Sequence, residues 1–324
     1  MKKFIIGVDG GGTKTHAVFL SLQGEVLGQV TVGPSNYQQA GKKGIQDVCS
    51  AILEALPQQN LATEGIVRWV LGLAGAGRPS DQLAVREAVE ALGFAGRVTV
   101  ENDGFIALVG AFSGEPGIIL ISGTGSICYG MNAEEKMARS GGWGYLLGDE
   151  GSGYFIGNQA LIAALKDLDG RGAQTVLRQK FESFYGIASI DLIVPKIYAG
   201  SIRKEDVASL APFVFEAAER GDSVAEQIVA RAGTELGKMA VAVARQLGLD
   251  NQPIRVAPIG SVLQNQQQKL VPFISAELKA VSSNLQFQQP QYPPAVGAAL
   301  VGLKKEGIPL TLEILENVAT SFSQ

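Results

Sequence analysis

The chain has one histidine, His16, and two cysteines, Cys49 and Cys128, among 324 residues. A single histidine cannot supply a His-rich metal centre, and a Ser-His-Asp triad would have to be built around that one ring. His16 lies in an alternating stretch and reads as structural. Two cysteines make neither a disulfide framework nor, within one chain, an iron–sulfur site, so a reducing cytoplasm is the expected setting. Charge is also scarce: charged residues make up 18%, the net charge is −4, and Lys and Arg form no cluster. Nucleic acid and acidic membrane surfaces call for a basic stripe, so neither is an expected partner. No stretch approaches the roughly 20 apolar residues of a membrane span. The start, Met1-Lys2-Lys3 running into an extended segment with Asp9, carries no small-residue cleavage site, so no signal peptide is expected. Two common phosphate-binding strings are missing as well. There is no G-x-x-x-x-G-K-[ST] loop, and no G-x-G-x-x-G between a strand and a helix.

Glycine, by contrast, is plentiful at 41 residues. Two glycine-threonine turns stand out, Asp9-Gly10-Gly11-Gly12-Thr13-Lys14-Thr15 and Ser122-Gly123-Thr124-Gly125-Ser126. Each lies between extended apolar segments, so each reads as a hairpin turn. Glycine lets an anion approach the peptide N–H groups closely, and threonine adds a hydroxyl donor. Either turn alone is an ordinary hairpin as readily as a site. The pair points to a nucleotide whose phosphates are gripped from both sides, by Gly11, Gly12, Thr13 and Lys14 and by Gly123, Thr124 and Gly125.

The length exceeds the size at which single cores usually stop growing, so two domains are expected. The turn cluster Ser113-Gly114-Glu115-Pro116-Gly117 is the boundary candidate, giving domains 1–115 and 116–324. In the first, strands are expected at 3–9, 15–21, 25–32, 67–73 and 97–102, and helices at 43–56, 80–92 and 105–112. In the second, strands are expected at 117–122, 127–131, 136–140, 254–260 and 284–287. Helices there are expected at 153–166, 173–183, 190–199, 204–220, 222–247, 267–281 and 295–304, the last packing back on the first domain. Both halves open with hairpins around a Gly-Thr turn and pass into α/β structure, which suggests an internal duplication. The fold class is α/β with helices on both faces of each sheet.

Ligands of such sheets bind outside the carboxyl ends of strands. Asp9 and Asp103 fall there. Asp103 follows Val98, Val100 and Asn102 and precedes a helix, so it reads as a general base or a metal–water ligand, or as that helix's N-cap. Asp9 beside a phosphate turn suits Mg²⁺ held through water, since that ion uses one or two carboxylates with phosphates. The segment from Gly141 to Gly153, GGWGYLLGDEGSG, combines glycines, aromatics and acids in a pattern suited to a binding loop. Its paired acids and Trp143 suit a polyol, the carboxylates accepting hydroxyls; the alternative is a helix start capped by Ser152.

In order and spacing, VDGGGTKT, VENDG, LISGTGSICYG and GGWGYLLGDEGSGYFIGNQAL resemble the N-acetylglucosamine kinase branch of the BadF/BadG/BcrA/BcrD ATPase family, within the actin-like ATPase/sugar kinase superfamily. The resemblance is strong over about 1–160 and colinear beyond. It implies two ribonuclease H-like domains with an active-site cleft between them, and phosphorylation of an amino sugar by ATP with Mg²⁺. It implies ATP at Thr13 and Thr124, with Ala208 near the nucleotide and Gly260 and Ser261 as the adenosine turn. The sugar would meet Asn36, Asp103, Gly142, Trp143 and Asp149, with Asp103 the base for its 6-hydroxyl. The loop from Leu71 to Gly77 carries small residues where some relatives place a serine. Relatives are commonly homodimers. Glucosamine and N-acetylmuramic acid are alternative acceptors. The same fold also hosts activators of radical dehydratases, which bridge a cluster through cysteines of two subunits. Here Cys128 falls in a strand and Cys49 on an apolar helix face, so the chain looks unequipped for that role.

Overall fold

In the computed structural model, which describes residues 2–322, β1 (Phe4–Gly10) is a buried strand rich in β-branched residues. It pairs antiparallel with β2 (Thr15–Ser21), which pairs antiparallel with β3 (Val26–Val32). On its other side β4 (Ile66–Leu73) and then β5 (Val98–Asn102) add in parallel, giving the order β3-β2-β1-β4-β5. The helices of this stretch are α1 (Tyr37–Glu54), α2 (Pro79–Val89) and α3 (Asp103–Phe112). The period-2 alternation of β1 sorts its side chains between two cores. Phe4, Ile6 and Val8 pack with Ile45, Cys49 and Ile52 of α1 and Val85 of α2, whereas Ile5 packs with Ile106 and Val109 of α3.

The second sheet repeats the plan. β6 (Gly117–Ser122), β7 (Ser126–Met131) and β8 (Met137–Gly141) form an antiparallel meander. β9 (Ile254–Ile259) and β10 (Leu285–Phe287) extend it in parallel from β6, giving the order β10-β9-β6-β7-β8. Between β8 and β9 run α4 (Gly153–Leu168), α5 (Val176–Tyr185), α6 (Ile193–Tyr198), α7 (Lys204–Ala208), α8 (Ala211–Glu219) and α9 (Ser223–Gln246), and α10 (Ser261–Leu278) joins β9 to β10. Strand order and pairing sense match in the two sheets, so the expected duplication of a ribonuclease H-like unit is present in the topology.

After β10 come α11 (Pro294–Lys305) and α12 (Leu312–Phe322). They belong with the first sheet, so one unit comprises the residues up to Pro116 together with those from Gln289, and the other is Gly117–Gln288. The expected second domain, 116–324, therefore ends early. Small residues dictate this: a Cβ on Gly7 would fall 2.2 Å from the carbonyl oxygen of Ala295, and one on Gly297 would fall 2.0 Å from that of Ile106. Only glycines let α11 lie so close to β1 and α3.

Several expected boundaries move. α10 begins at Ser261, six residues before expectation, because the amide run Gln264–Gln268 hides its apolar period. The helix expected at 204–220 is two, since Pro212 in the first turn of α8 cannot continue a helix already under way. The segment 190–199 is a 3₁₀ turn followed by α6, and α2 ends at Val89 in a wider turn over Glu90–Phe94, where Gly93 takes φ 98°. α12 has no counterpart in the sequence reading.

Candidate functional site

The first glycine turn closes on itself and on a neighbouring loop. Gly11 N–H donates to the carbonyl of Lys14 at 3.1 Å, and the Gly11 carbonyl accepts from the N–H groups of Ser35 and Asn36, each at 3.0 Å. Buried Thr15, the first residue of β2, ties the same loop down: its hydroxyl bonds the Gly33 carbonyl and the Ser35 hydroxyl, each at 2.7 Å. Gly12, Thr13 and Lys14 are left exposed. Gly11 and Gly12 take no positive φ, and a Cβ on Gly11 would meet nothing closer than 3.6 Å. Neither backbone conformation nor crowding explains glycine there. The turn leaves open room beside Gly11 and Gly12, which an approaching anion would require.

Asp9 stands at the end of β1 and Asp103 opens α3 directly after β5. Asp9 is raised to about 6, first by burial and then by the charge of Asp103, with Lys14 acting against both. Burial also raises Asp103, against the hydrogen bond that it accepts from Gly104 N–H. The two carboxylates therefore share one partly buried place. The N-cap of α3 is Asn102, not Asp103: the Asn102 side chain accepts from Gly104 N–H at 2.8 Å. Asp103 therefore lies in the first turn of the helix, where its Oδ1 accepts from the same Gly104 N–H at 2.9 Å. Asn36 caps α1 by accepting from Gln38 N–H at 3.1 Å, beside the Gly75 loop.

The second glycine turn closes through Gly123 N–H to the Gly125 carbonyl at 2.9 Å, and Thr124 is exposed. It is stitched to the GDEGS segment. Buried Ser122 donates to the Gly151 carbonyl at 2.8 Å, and buried Ser126, the first residue of β7, donates to that of Glu150 at 2.7 Å. Gly153 N–H, opening α4, donates to the Gly123 carbonyl at 2.7 Å. Asp149, at φ 61°, lays its carboxylate over the turn: a Cβ on Gly125 would fall 2.8 Å from its Oδ2. Burial raises Asp149, and the N–H groups of Ser126 and Gly144 that bond its carboxylate pull the other way. Ser152 does cap α4, accepting from Phe155 N–H at 3.1 Å, so the capping and binding readings of this segment are compatible.

Gly142, at φ 72°, packs against Ile127, and Trp143 follows it, 66% exposed with the Arg139 guanidinium 4.4 Å from its ring centroid. One indole face is thus already covered. Gly260 ends β9 at φ 91°, pressed against Ser122, and positions Ser261 at the start of α10. Gly123, Thr124, Gly153, Ala208 and Ser261 line one cavity of about 290 Å³ with Glu205, Phe215, Asn265 and Gln266. The last four escaped the sequence reading, as no local string marks them. Both thiols are buried, Cys49 raised to about 12 and Cys128 raised further by burial alone. Neither is placed to ligate a cluster at a surface. His16 bonds Gln29 across the β2–β3 pair at 3.0 Å, as a structural residue would. Among the described residues no cluster of three His, Cys, Asp or Glu side chains could hold a metal by itself, and no helix is long and apolar enough to cross a membrane.

The BadF/BadG/BcrA/BcrD ATPase family model matches residues 6–302. The chain belongs to this family. Membership makes ATP the nucleotide, and the cavity beside Thr124 is its candidate pocket. Within the family, the chain is 40% identical over 264 residues to an N-acetylmuramic acid/N-acetylglucosamine kinase of Clostridium acetobutylicum, covering 81% of this chain and 86% of that one. It is 31% identical over 318 residues to an N-acetyl-D-glucosamine kinase of Dictyostelium discoideum, covering 94% and 99%. A solved structure from Chromobacterium violaceum, provisionally assigned as an N-acetylglucosamine kinase, superposes with a TM-score of 0.70 at 30% identity, covering 93% and 99%.

Proposed function

We propose that this family member transfers the γ-phosphoryl group of ATP to the 6-hydroxyl of an amino sugar, N-acetylglucosamine being the acceptor. The observation that carries the reading is Asp103: a partly buried carboxylate at a strand end, one residue past the N-cap Asn102 and near Asp9 beside a phosphate turn. The relatives named as amino-sugar kinases support the choice of acceptor. An Asp103 oxygen takes the 6-hydroxyl proton as O6 bonds to the γ-phosphorus. The bond from that phosphorus to the β,γ-bridging oxygen breaks, and ADP leaves. Gly11, Gly12, Thr13, Lys14, Gly123, Thr124 and Gly125 are the proposed phosphate contacts. Ala208, Gly260 and Ser261 are those for the nucleoside. Asn36, Gly142, Trp143 and Asp149 are proposed to read the sugar hydroxyls.

Asp9 fits Mg²⁺. A carboxylate held near a second one, where the two repel, is stabilised by a cation, and this ion needs only one or two protein carboxylates when phosphates and water complete its shell. Bound there, it would neutralise phosphate charge. The need for ATP and the reduced thiols support a cytoplasmic setting.

A second acceptor is favoured by the relative of Clostridium acetobutylicum. It is N-acetylmuramic acid, which is N-acetylglucosamine with a lactyl ether, and so a carboxylate, on O3. The reading is tested by ADP release over a hexosamine panel. N-acetylglucosamine is expected to raise turnover well above basal ATP hydrolysis. A panel in which no sugar does so overturns the kinase reading.

A further inference from the structure

Arg78 is a residue that local structure argues against. It is the N-cap of α2, where Ser, Thr, Asp or Asn is preferred because a side-chain oxygen can accept from the first free N–H groups. Arg78 makes no such bond. Its positive charge also faces the positive end of the helix, an arrangement that costs stability. Asp81 in the first turn complements the helix dipole but forms no ion pair with Arg78. Of the arginines in its unit, Arg68 pairs with Glu306 at 2.6 Å, Arg97 donates to the carbonyls of Ile66 and Gly93, and Arg86 acts on Glu101. Arg86 is exposed as well, but its charge acts on Glu101; Arg78 is exposed with no side-chain partner among the described residues.

Its backbone is nevertheless fixed. Pro79 holds it extended at ψ 149°, and the loop before it is anchored by Gln38 Nε2 donating to the Gly75 carbonyl at 2.8 Å. That loop runs between the two places that the kinase reading gives to the sugar. A Cβ on Gly75 would fall 2.8 Å from Asn36 Oδ1, and one on Gly77 would fall 4.0 Å from Asn102 Nδ2, next to Asp103. An unpaired guanidinium on a fixed stem thus stands one residue beyond this loop. A charged residue held at an N-cap without a capping bond is a departure from local rules of the kind that functional positions carry.

We infer that Arg78 pairs with a carboxylate carried by the acceptor, and so admits anionic amino sugars of the 3-O-carboxyalkyl class alongside the neutral one. The inference rests on the amino-sugar kinase reading. The guanidinium fork matches a carboxylate with two parallel hydrogen bonds, which an ammonium does not reproduce. A neutral sugar leaves Arg78 in water, where it costs nothing further.

The test measures kcat and KM of the full chain for N-acetylglucosamine and N-acetylmuramic acid, in the wild type and in Arg78→Ala, Arg78→Lys and Arg78→Ser. The wild type is expected to phosphorylate both sugars. Arg78→Ala should lose roughly 10–100-fold in kcat/KM for N-acetylmuramic acid, mainly through KM, and stay within about 3-fold for N-acetylglucosamine. Arg78→Lys should recover part of the loss. Arg78→Ser supplies a capping oxygen, so it should unfold at a higher temperature than the wild type while showing the selective loss. Equal loss for both sugars, carried by kcat, would mean that Arg78 serves the transferring phosphate, and overturns the proposal. So does a wild type that takes the neutral sugar and refuses the anionic one. An enzyme that takes neither sugar overturns the kinase reading itself and is told apart by its flat ADP-release panel.

Discussion

Asp9 and Asp103 lie at the carboxyl ends of β1 and β5, with β4 between them, and the proposed reaction gives them different tasks. Asp103→Asn keeps an oxygen that can accept from Gly104 N–H, so it should keep ATP and sugar binding while removing the proton acceptor. General base catalysis contributes ~10²–10⁴-fold, so kcat should fall by that much with KM little changed. Retention of more than about a tenth of wild-type kcat would move the base elsewhere. Asp9 carries a stability cost. It titrates at 3.8 when unperturbed and at about 6 in the fold. Between these values the folded state holds the extra proton, so its contribution to stability falls as pH rises from about 4 to 6, and the penalty is complete above that. Asp9→Asn should therefore raise the unfolding midpoint at pH 7.5, by on the order of 2–3 kcal/mol in free energy, and abolish turnover. Thermal scans across pH check the assignment: the gap to the wild type should close near pH 4, and a gap independent of pH would contradict the shared carboxylate site.

At the scale of elements, glycine serves two opposite purposes, and substitution separates them. Gly297→Ala puts a methyl group 2.0 Å from the Ile106 carbonyl and forces α11 off α3, an overpacking that should cost about 1–3 kcal/mol in urea denaturation. Gly11→Ala meets nothing closer than 3.6 Å and should leave stability unchanged while weakening ATP binding in calorimetry. A destabilised Gly11→Ala would mean that the turn uses glycine for its own folding. The sequence revealed what is local. The strand–turn–strand strings, the carboxylates at strand ends and the GDEGS segment each lie within a dozen residues, and their type and order survive in the structure. It did not reveal what depends on partners far along the chain. The lining of the cavity by Glu205 and Asn265 with Thr124 is settled by packing between segments. α10 was shortened in the reading because five consecutive amides carry no hydrophobic period.

Across the whole molecule, the duplication reaches below topology. Thr15 and Ser126 occupy the same place, the first residue of the second strand, and each uses a buried hydroxyl to tie its glycine turn to a later loop, at Gly33 and at Glu150. The hydrophobic cores respect the same division. One is drawn entirely from residues between Ile118 and Phe287, and the other two from residues outside that span. A fragment of residues 117–288 is therefore expected to fold alone, with native-like circular dichroism and cooperative melting, whereas 1–116 is expected to do so only when 289–324 is supplied. A molten 117–288 fragment, or a stable 1–116, would contradict this partition.

The return of α11 to the first sheet has a consequence for synthesis on the ribosome. β1 to β5 leave the exit tunnel early, but the helix that covers Ile5, Val18 and Val70 follows only after all of 117–288 has been made. At ~5–20 residues per second that is a wait of roughly 10–30 s. The nascent chain spends it with that sheet face covered only by α3 while the later unit completes around its own core. The amino-terminal part, though made first, finishes last, and that interval is where a nascent-chain chaperone would find its binding surface.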